Sequence, residues 1–433
     1  MNIKVKETSM ICPAQELPNQ HLYLSKLDIN LPQTSIHYML YFYESNNNFF
    51  DGTKVLKEAL SNVLVQFYPA AGRLGRDEKG RLQINCNGDG VLFIEAETES
   101  AIHELGDSML YEENRQLIPR VDHSKNDISS FPLFALQVTK FRCGGLSLGM
   151  QWHYTLSDGR AYIHFAKTWC EIARGLPISH QPFIDRTILR NQVAGKPKFR
   201  HSEYDNLPPI NPTQNNNAKT EIFKITVEQL NALKSKVQEE NNNHGNGKTK
   251  YSSYEILTAH IWRCTCKARG LSNDQATKIN MAVDGRSRLK PPLPSGYFGN
   301  AVFRASLTAL SGEIISETLK ETVERIRKAI NRMDDEFLRS TMDYIDGLDD
   351  ISAIQNRCPN LGITSWMRIP FYSLDFGMGK PLCFRPVNPV EGKGYILPTP
   401  SNEIDGSWAL IITLEINHME SFNKLFYMLE ADL

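Results

Sequence analysis

The sequence predicts an α/β protein built as two domains of similar size. Three observations lead there. The chain has 433 residues, beyond the ~250–300 at which a single hydrophobic core stops growing. Strand and helix patterns mix in both halves, as in layered α/β architectures. Between the halves, from about Leu176 to Lys219, periodicity dissolves into proline and asparagine, including LPPINPTQNNN. A connection of that length links domains or lines a site. The expected division is a first domain over 1–180, a crossover loop over 181–219 and a second domain over 220–433.

Local signals set the elements. TSIHYMLYFYE reads as a strand, followed by a turn cluster at Asn46, Asn47, Asn48, Asp51 and Gly52. In TKVLKEALSNVLVQFYP, residues Val55, Leu56, Leu60, Val63 and Leu64 recur at helical spacing, and Pro69 ends the run. RLQINCN and VLFIEAE are strands separated by the turn signal Gly88, Asp89 and Gly90. PLFALQVTKF and GLSLGMQWHY flank Cys143, Gly144 and Gly145 as a hairpin. The chain then turns at Gly159 into a helix with Ile163, Ala166, Trp169 and Ile172 along one face. In the second half VEQLNALKSKV, SSYEILTAHIWRCTCKARG and ISETLKETVERIRKAINRM read as helices, the last two amphipathic. EENNNHGNGKTK reads as a surface loop. WALIITLEIN is a strand, and a short helix runs through Phe422 and Leu425.

Composition excludes several classes. With 41% hydrophobic and 22% charged residues the chain is ordinary globular protein. Its 48 Lys and Arg against 49 Asp and Glu leave a net charge of -1, no electrostatic footprint for nucleic acid or an anionic membrane. No apolar run reaches the ~20 residues that span a bilayer. The opening MNIKVKETSMICPAQELP carries charges where a secretory leader needs an apolar stretch, so a cytoplasmic protein is expected. The eight cysteines lack zinc or C-x-x-C spacing and read as free, mostly buried thiols. No metal is expected.

Three segments carry the chemistry. His153-Tyr154-Thr155-Leu156-Ser157-Asp158-Gly159 joins a strong strand to a helix, a turn that presents side chains into a cleft. Alone, a histidine near an aspartate reads as a structural pair. SLDFGMGKP contains Asp375, Gly377, Met378 and Gly379, with glycines that suggest positive φ or close backbone approach. VDGRSRLKPPLPSGYFGNAV places Arg286 and Arg288 before a proline-rich turn.

Together and in this order, the segments resemble the BAHD acyltransferases, which carry H-x-x-x-D-G, then Y-F-G-N, then D-F-G-W-G. Tyr297-Phe298-Gly299-Asn300 and Asp375-Phe376-Gly377 match. MICPAQELP, FYPAAGRL and TSWMRIPFYSLDFG look like the hydroxycinnamoyl-CoA shikimate/quinate branch. The resemblance covers essentially the whole chain. It implies two chloramphenicol-acetyltransferase-like domains with a solvent channel between them, part of 375–400 returning to the first. It further implies acyl-CoA as co-substrate, no bound cofactor, a small plant phenylpropanoid-type acceptor and a monomer. The motif histidine would be the base, and Asp158 would pair with Arg286 or, preferably, Arg288. Arg368 would grip an acceptor carboxylate, with His37 and Met378 lining the acceptor pocket. Ser252 and Ser253 would lie near the coenzyme A entrance, although serine also caps helices.

The chain departs from that pattern at one decisive place. Four residues before Asp158 stands Tyr154, not histidine, and His153 lies one position upstream. Twelve residues separate Gly145 from Asp158, the spacing expected in the branch, so no insertion slides His153 into place. Neighbouring strand residues face opposite ways, so His153 faces away unless the strand end is bulged. A phenol, with a reference pKa of ~10, is a poor base at neutral pH. Met378 also replaces the second motif's tryptophan. Three readings stand open: acyl transfer with the base being water, His153 or an activated Tyr154; a diverged lyase or cyclase using Tyr154 as acid; or a catalytically silent binding protein.

Overall fold

The structure is a computed structural model. It describes the chain apart from residues 30–34, 45–51, 106–113, 122–126, 191–194, 206, 208–209, 211–217, 244–248, 349–355, 387–389, 400–404 and 429–433. The turn cluster expected at 46–51, most of LPPINPTQNNN and the centre of EENNNHGNGKTK lie outside the described residues.

The chain divides into two compact units, Met1–Val193 with Pro292–Ala301 and Ile369–Asn388, and Ala194–Pro291 with Val302–Arg368 and Pro389–Leu433. This division differs from the expected one at 181–193 and 292–301, whereas a return of part of 375–400 to the first unit was expected. Residues 181–193 join the first unit, where Phe183 bridges to Tyr297. Residues 292–301 join it because Asn300 and Ala301 bond to Asp28 and Asp158. Residues 369–388 join it because Cys383–Pro386 adds a strand to the first sheet.

In the first unit, six strands run in the order β1 (Lys4–Ile11), β6 (Val91–Thr98), β7 (Phe134–Phe141), β8 (Leu146–His153), β3 (Ile36–Tyr43) and β13 (Cys383–Pro386). A smaller sheet pairs β2 (Gln20–Tyr23), β5 (Leu82–Cys86) and β4 (Arg73–Arg76). β5 and β6 therefore do not form a hairpin. Gly90 is the reason: its φ is 89° and a Cβ there would lie 2.6 Å from the Ile11 carbonyl oxygen, so the turn hands the chain from one sheet to the other. β7 and β8 pair antiparallel, as their pattern predicts.

All eight residues of β8 are buried, because both faces of this central strand are covered. Helices α1 (Gly52–Gln66) and α2 (Gly159–Ala173) lie on one side, where Trp169 Nε1 of α2 donates to the Leu56 carbonyl at 3.1 Å. On the other side the 115–121 segment sits so close that a Cβ on Gly149 would meet the Leu117 oxygen at 2.0 Å. Only glycine fits there. Of the helical face read from sequence, Ile163, Ala166 and Trp169 are buried and Ile172 is half-buried.

The second unit holds a separate six-stranded sheet in the order β11 (Val302–Leu310), β10 (Ala276–Asp284), β12 (Leu361–Ser365), β14 (Lys393–Pro398), β15 (Trp408–Glu415) and β9 (Ala218–Ile225). Its described helices are α3 (Val227–Asn243), α4 (Ser253–Ala268), α5 (Ser311–Ser316), α6 (Leu319–Asn331), α7 (Asp335–Asp346) and α8 (Ile416–Tyr427). The single helix expected from Ile315 is two, because Thr318 and Glu321 form a capping box that restarts the chain at α6. α4, expected to be amphipathic, is buried nearly all round. Its polar groups are satisfied inside: Arg263 donates to the Ile314 and Glu317 carbonyls, and Arg269 forks onto Glu415 at 3.0 and 3.1 Å. The eight cysteines are free thiols, five of them buried.

His260 on α4 donates from Nε2 to the Phe426 carbonyl at 2.8 Å. Burial nonetheless pushes its pKa down to about 4. Unfolded, an imidazole titrates near ~6.5, so between the two values the unfolded chain holds a proton the native state refuses. The stability from neutral His260 is complete above ~6.5 and is lost as pH falls towards 4, on the order of 3 kcal/mol in all. Denaturant midpoints at pH 7 and pH 4.5 should differ more for the wild type than for His260→Gln.

The described part of the crossover is not a slack linker. His201 Nδ1 lies 2.7 Å from Glu203 Oε1 and its Nε2 lies 2.8 Å from Ser340 Oγ. Ser340 Oγ also accepts from the Lys198 and Phe199 amides. The Ser-His-Glu order resembles that of a hydrolase triad, but all three residues are buried and the serine oxygen is occupied by backbone donors. The arrangement pins the crossover to α7.

Candidate active site

β8 ends at His153, and the turn 154–158 carries the chain into α2. Four consecutive carbonyls of that turn, from Tyr154 to Ser157, have a side-chain donor. Asn300 Nδ2 donates to the Tyr154 oxygen at 2.9 Å, Arg186 Nη1 to Thr155 at 2.8 Å, Arg186 Nη2 to Leu156 at 2.5 Å, and Trp152 Nε1 to Ser157 at 3.3 Å. Buried backbone acceptors require such partners, and here four consecutive ones are met by three side chains. Arg186 and Asp28 are both fully buried and form an ion pair at 3.1 Å. Asp28 Oδ1 also accepts from the backbone and side-chain nitrogens of Asn300, at 2.9 and 3.0 Å.

Asp158 is the N-cap of α2. Its Oδ1 accepts from the Arg160 and Ala161 amides at 3.1 Å each, and its Oδ2 from the Ala301 amide at 2.9 Å. Its observed work is thus to start α2 and to tie the 292–301 segment beside it, with Gly159 as the first helical residue. Arg288 does not pair with it. Its Nη1 donates to the Ile330 and Met333 carbonyls at the end of α6. Arg286 bonds through its amide and Nη1 to Asp284. The preferred partner, Arg288, lies instead where the end of α6 offers carbonyls that α-helical bonding leaves open.

His153 and Tyr154 part company at the strand end. His153 pairs with Ile36 in the register of β8 with β3 and is 1% exposed. Its Nδ1 is 2.7 Å from Thr155 Oγ1, and its ring stacks on Phe131. No bulge brings it to the other face, so His153 as working base is corrected. Tyr154 is half-buried. Its amide donates to the Ser35 carbonyl at 3.0 Å, continuing the pairing one step and leaving its side chain on the face of His37. The two rings lie 5.4 Å apart, centroid to centroid, tilted by 52°. On the opposite face, a cavity of about 260 Å³ opens among Tyr38, Arg115, Ile118, Pro119, Arg120 and Val121.

The second glycine-rich motif is built around its aspartate. Asp375 Oδ1 accepts from the Gly377 and Gly379 amides at 2.8 and 2.9 Å. Both glycines have positive φ, 97° and 93°, a conformation that glycine adopts without steric cost. Phe376 packs on Trp169 of α2 at 4.6 Å. Met378, expected against substrate, is buried at 6% exposure.

In the second unit, Ser252 caps α4. Its Oγ accepts from the Glu255 amide and donates to the Glu255 carboxylate, which is held in turn by Arg327. That hydroxyl is committed to the cap, whereas Ser253 has no hydrogen-bond partner among the described residues. Arg368 is exposed, also without a polar partner among the described residues. It follows Trp366, whose amide donates to Ile396 and whose ring packs on Tyr395 at 4.9 Å.

Sequence reasoning missed Asp28 and Arg186, and quoted Asn300 only as part of a motif. The available signal for Arg186 was a charge in FIDRTIL, between Ile184 and Ile188, where a buried guanidinium must find acceptors.

Residues 1–429 match the Transferase family. Shikimate O-hydroxycinnamoyltransferase of Nicotiana tabacum is 45% identical over 443 residues, covering 99% of this chain and 100% of that protein. The chain belongs to the BAHD acyltransferase family. Rosmarinate synthase of Plectranthus scutellarioides is 44% identical over 439 residues, with 99% and 100% covered. Among solved structures, vinorine synthase superposes with a TM-score of 0.75 at 22% identity, covering 97% of this chain and 96% of that one. TRI101 of F. sporotrichioides, complexed with coenzyme A and T-2, gives 0.76 at 20% identity, with 93% and 97% covered. The fold is therefore that of two chloramphenicol-acetyltransferase-like domains, and this BAHD protein is an acyl-CoA-dependent acyltransferase. Among the described residues, no helix is long and apolar enough to cross a membrane.

Proposed function

We propose that this BAHD protein transfers a hydroxycinnamoyl group from its coenzyme A thioester to a hydroxyl of a small, carboxylate-bearing acceptor. The observation that carries the reading is the full-length identity, near 45%, to proteins named as hydroxycinnamoyltransferases. The rigid turn supports it: a network that fixes four carbonyls keeps position 154 where the acceptor is activated. Tyr154 occupies the family's base position, Asp158 shapes the loop, and Ser253 stands near the incoming coenzyme A.

The test is purified protein with p-coumaroyl-CoA and a panel of shikimate, quinate and phenolic acceptors. Free thiol appearing together with a new ester supports the proposal. Thioester binding without turnover favours a binding protein, and turnover of an acceptor without thioester favours a lyase or cyclase.

Arg368 is proposed to hold the acceptor carboxylate, a bidentate contact that gives orientation as well as energy. Its exposed guanidinium is available for that pairing. Losing a hydrogen bond to a charged group costs about 1.5–3 kcal/mol. Arg368→Ala should therefore raise the acceptor KM ten-fold or more and leave the thioester KM unchanged. An unchanged acceptor KM would remove Arg368 from the site.

A further inference from the structure

The family's base position holds a phenol here, yet an imidazole stands beside it. His37 and Trp152 are register partners across β3 and β8, so they share a face. Tyr154, one step past the strand end and opposite Ser35, falls on that same face. The half-buried His37 ring ends 5.4 Å from the Tyr154 ring, tilted by 52°. Of the two imidazoles near the turn, His153 is on the other face, sealed at 1% exposure and engaged with Thr155. We infer that His37 is the catalytic base, the imidazole having moved from the strand end to the adjacent strand, with Tyr154 as its ring partner.

The inference rests on the acyl-transfer reading. In the step assigned to it, one ring nitrogen of His37 takes the acceptor hydroxyl proton as the oxygen bonds to the thioester carbonyl carbon. The tetrahedral intermediate collapses with cleavage of the C–S bond. The imidazolium returns its proton to the departing thiolate, so the products are the ester and free coenzyme A. Tyr154 contributes its ring: an aromatic face beside an imidazolium stabilises the charge that develops there. The ring contact also limits the rotamers of His37, which a base needs if it is to sit within hydrogen-bond reach of the acceptor.

The experiment compares wild type, His37→Gln, His37→Ala and Tyr154→Phe with p-coumaroyl-CoA and saturating shikimate, reading thiol release. Positioned general bases contribute about 10²–10⁴-fold. The expected result is a fall in kcat of at least 10² for both His37 variants and partial recovery of His37→Ala by free imidazole, with Tyr154→Phe, which keeps the ring, falling less than His37→Gln. The double variant His37→Gln/Tyr154→His should regain turnover, which also shows that the His37→Gln chain folds.

A His37→Gln protein that keeps kcat and raises only the acceptor KM would make His37 a binding group and overturn the assignment. Loss of turnover in Tyr154→Phe equal to that in His37→Gln would overturn it too, by making the phenol the proton carrier. If the alanine variant fails to fold, glutamine alone decides, with a fall below 10² counting against His37. Wild type that releases no thiol with any acceptor sinks the transferase reading and this assignment together. Wild type that turns over no faster than His37→Gln sinks only the latter.

Discussion

Arg186→Ala is expected to destabilise the first unit by about 3–5 kcal/mol, the range found when one partner of a buried ion pair is removed. Asp28 and Arg186 are both fully buried and 3.1 Å apart, so the substitution strands a carboxylate with no access to water. It also leaves the Thr155, Leu156 and Phe298 carbonyls without their donor. Two of these belong to the turn that presents Tyr154, so thiol release should fall together with stability. Arg186→Lys keeps the charge but not the fork, because an ammonium cannot spread three contacts over one plane, and should recover only part of the loss. Asp28→Leu/Arg186→Met, which removes both charges, should be less damaging than either single change. Denaturant titration measures all of this. A cost below about 1 kcal/mol for Arg186→Ala, at the level of exposed ion pairs, would contradict the account.

Asp158→Ala should follow in magnitude. The carboxylate is 3% exposed and receives three backbone N–H groups, from Arg160, Ala161 and Ala301. Loss of an N-cap costs about 0.5–2 kcal/mol, and a buried amide left unsatisfied at Ala301 adds about 1–3 kcal/mol. Asp158→Asn retains a side-chain oxygen and should sit between alanine and wild type. Hydrogen exchange at the Ala301 amide distinguishes the two contributions. Faster exchange there, with the α2 amides still protected, would mark release of the 292–301 segment alone. Unchanged exchange at Ala301 in the alanine variant would show that the Asp158 contact carries no weight.

The two effects share a cause that the sequence only partly displays. The sequence singles out Asp158 as an arginine partner and not as a cap, although capping is a local effect: the carboxylate reaches amides two and three residues ahead. Capping is equally local at Ser252, which with Glu255 spells out a capping box that the structure contains. α1 and α2 are legible for a related reason, since period 3.6 is a local property of a helix with one buried face, and β3, β7 and β8 are legible as short apolar runs bounded by turn signals. That Tyr154 stands four residues before Asp158, with His153 one position further upstream, also follows from counting alone.

What failed were the features whose partners are distant in sequence. Arg288 looked like the partner of Asp158, yet its acceptors are at Ile330 and Met333. The turn between β5 and β6 was legible but not the partners of the two strands: strand pairing depends on which edges are available, and each strand joined a different sheet. α4 looked amphipathic, although helices on several sides bury it. By itself the sequence determined the class, many of the elements, the family and the presence of a tyrosine four residues before Asp158. The tertiary structure alone decided that Arg186, 30 or more residues beyond the turn, braces it, and that His37, over a hundred residues before it, lies beside Tyr154. The physical reason is that a local pattern reports which face of an element is buried, whereas the identity of the group across from that face is settled only when non-local strands and segments close on one another.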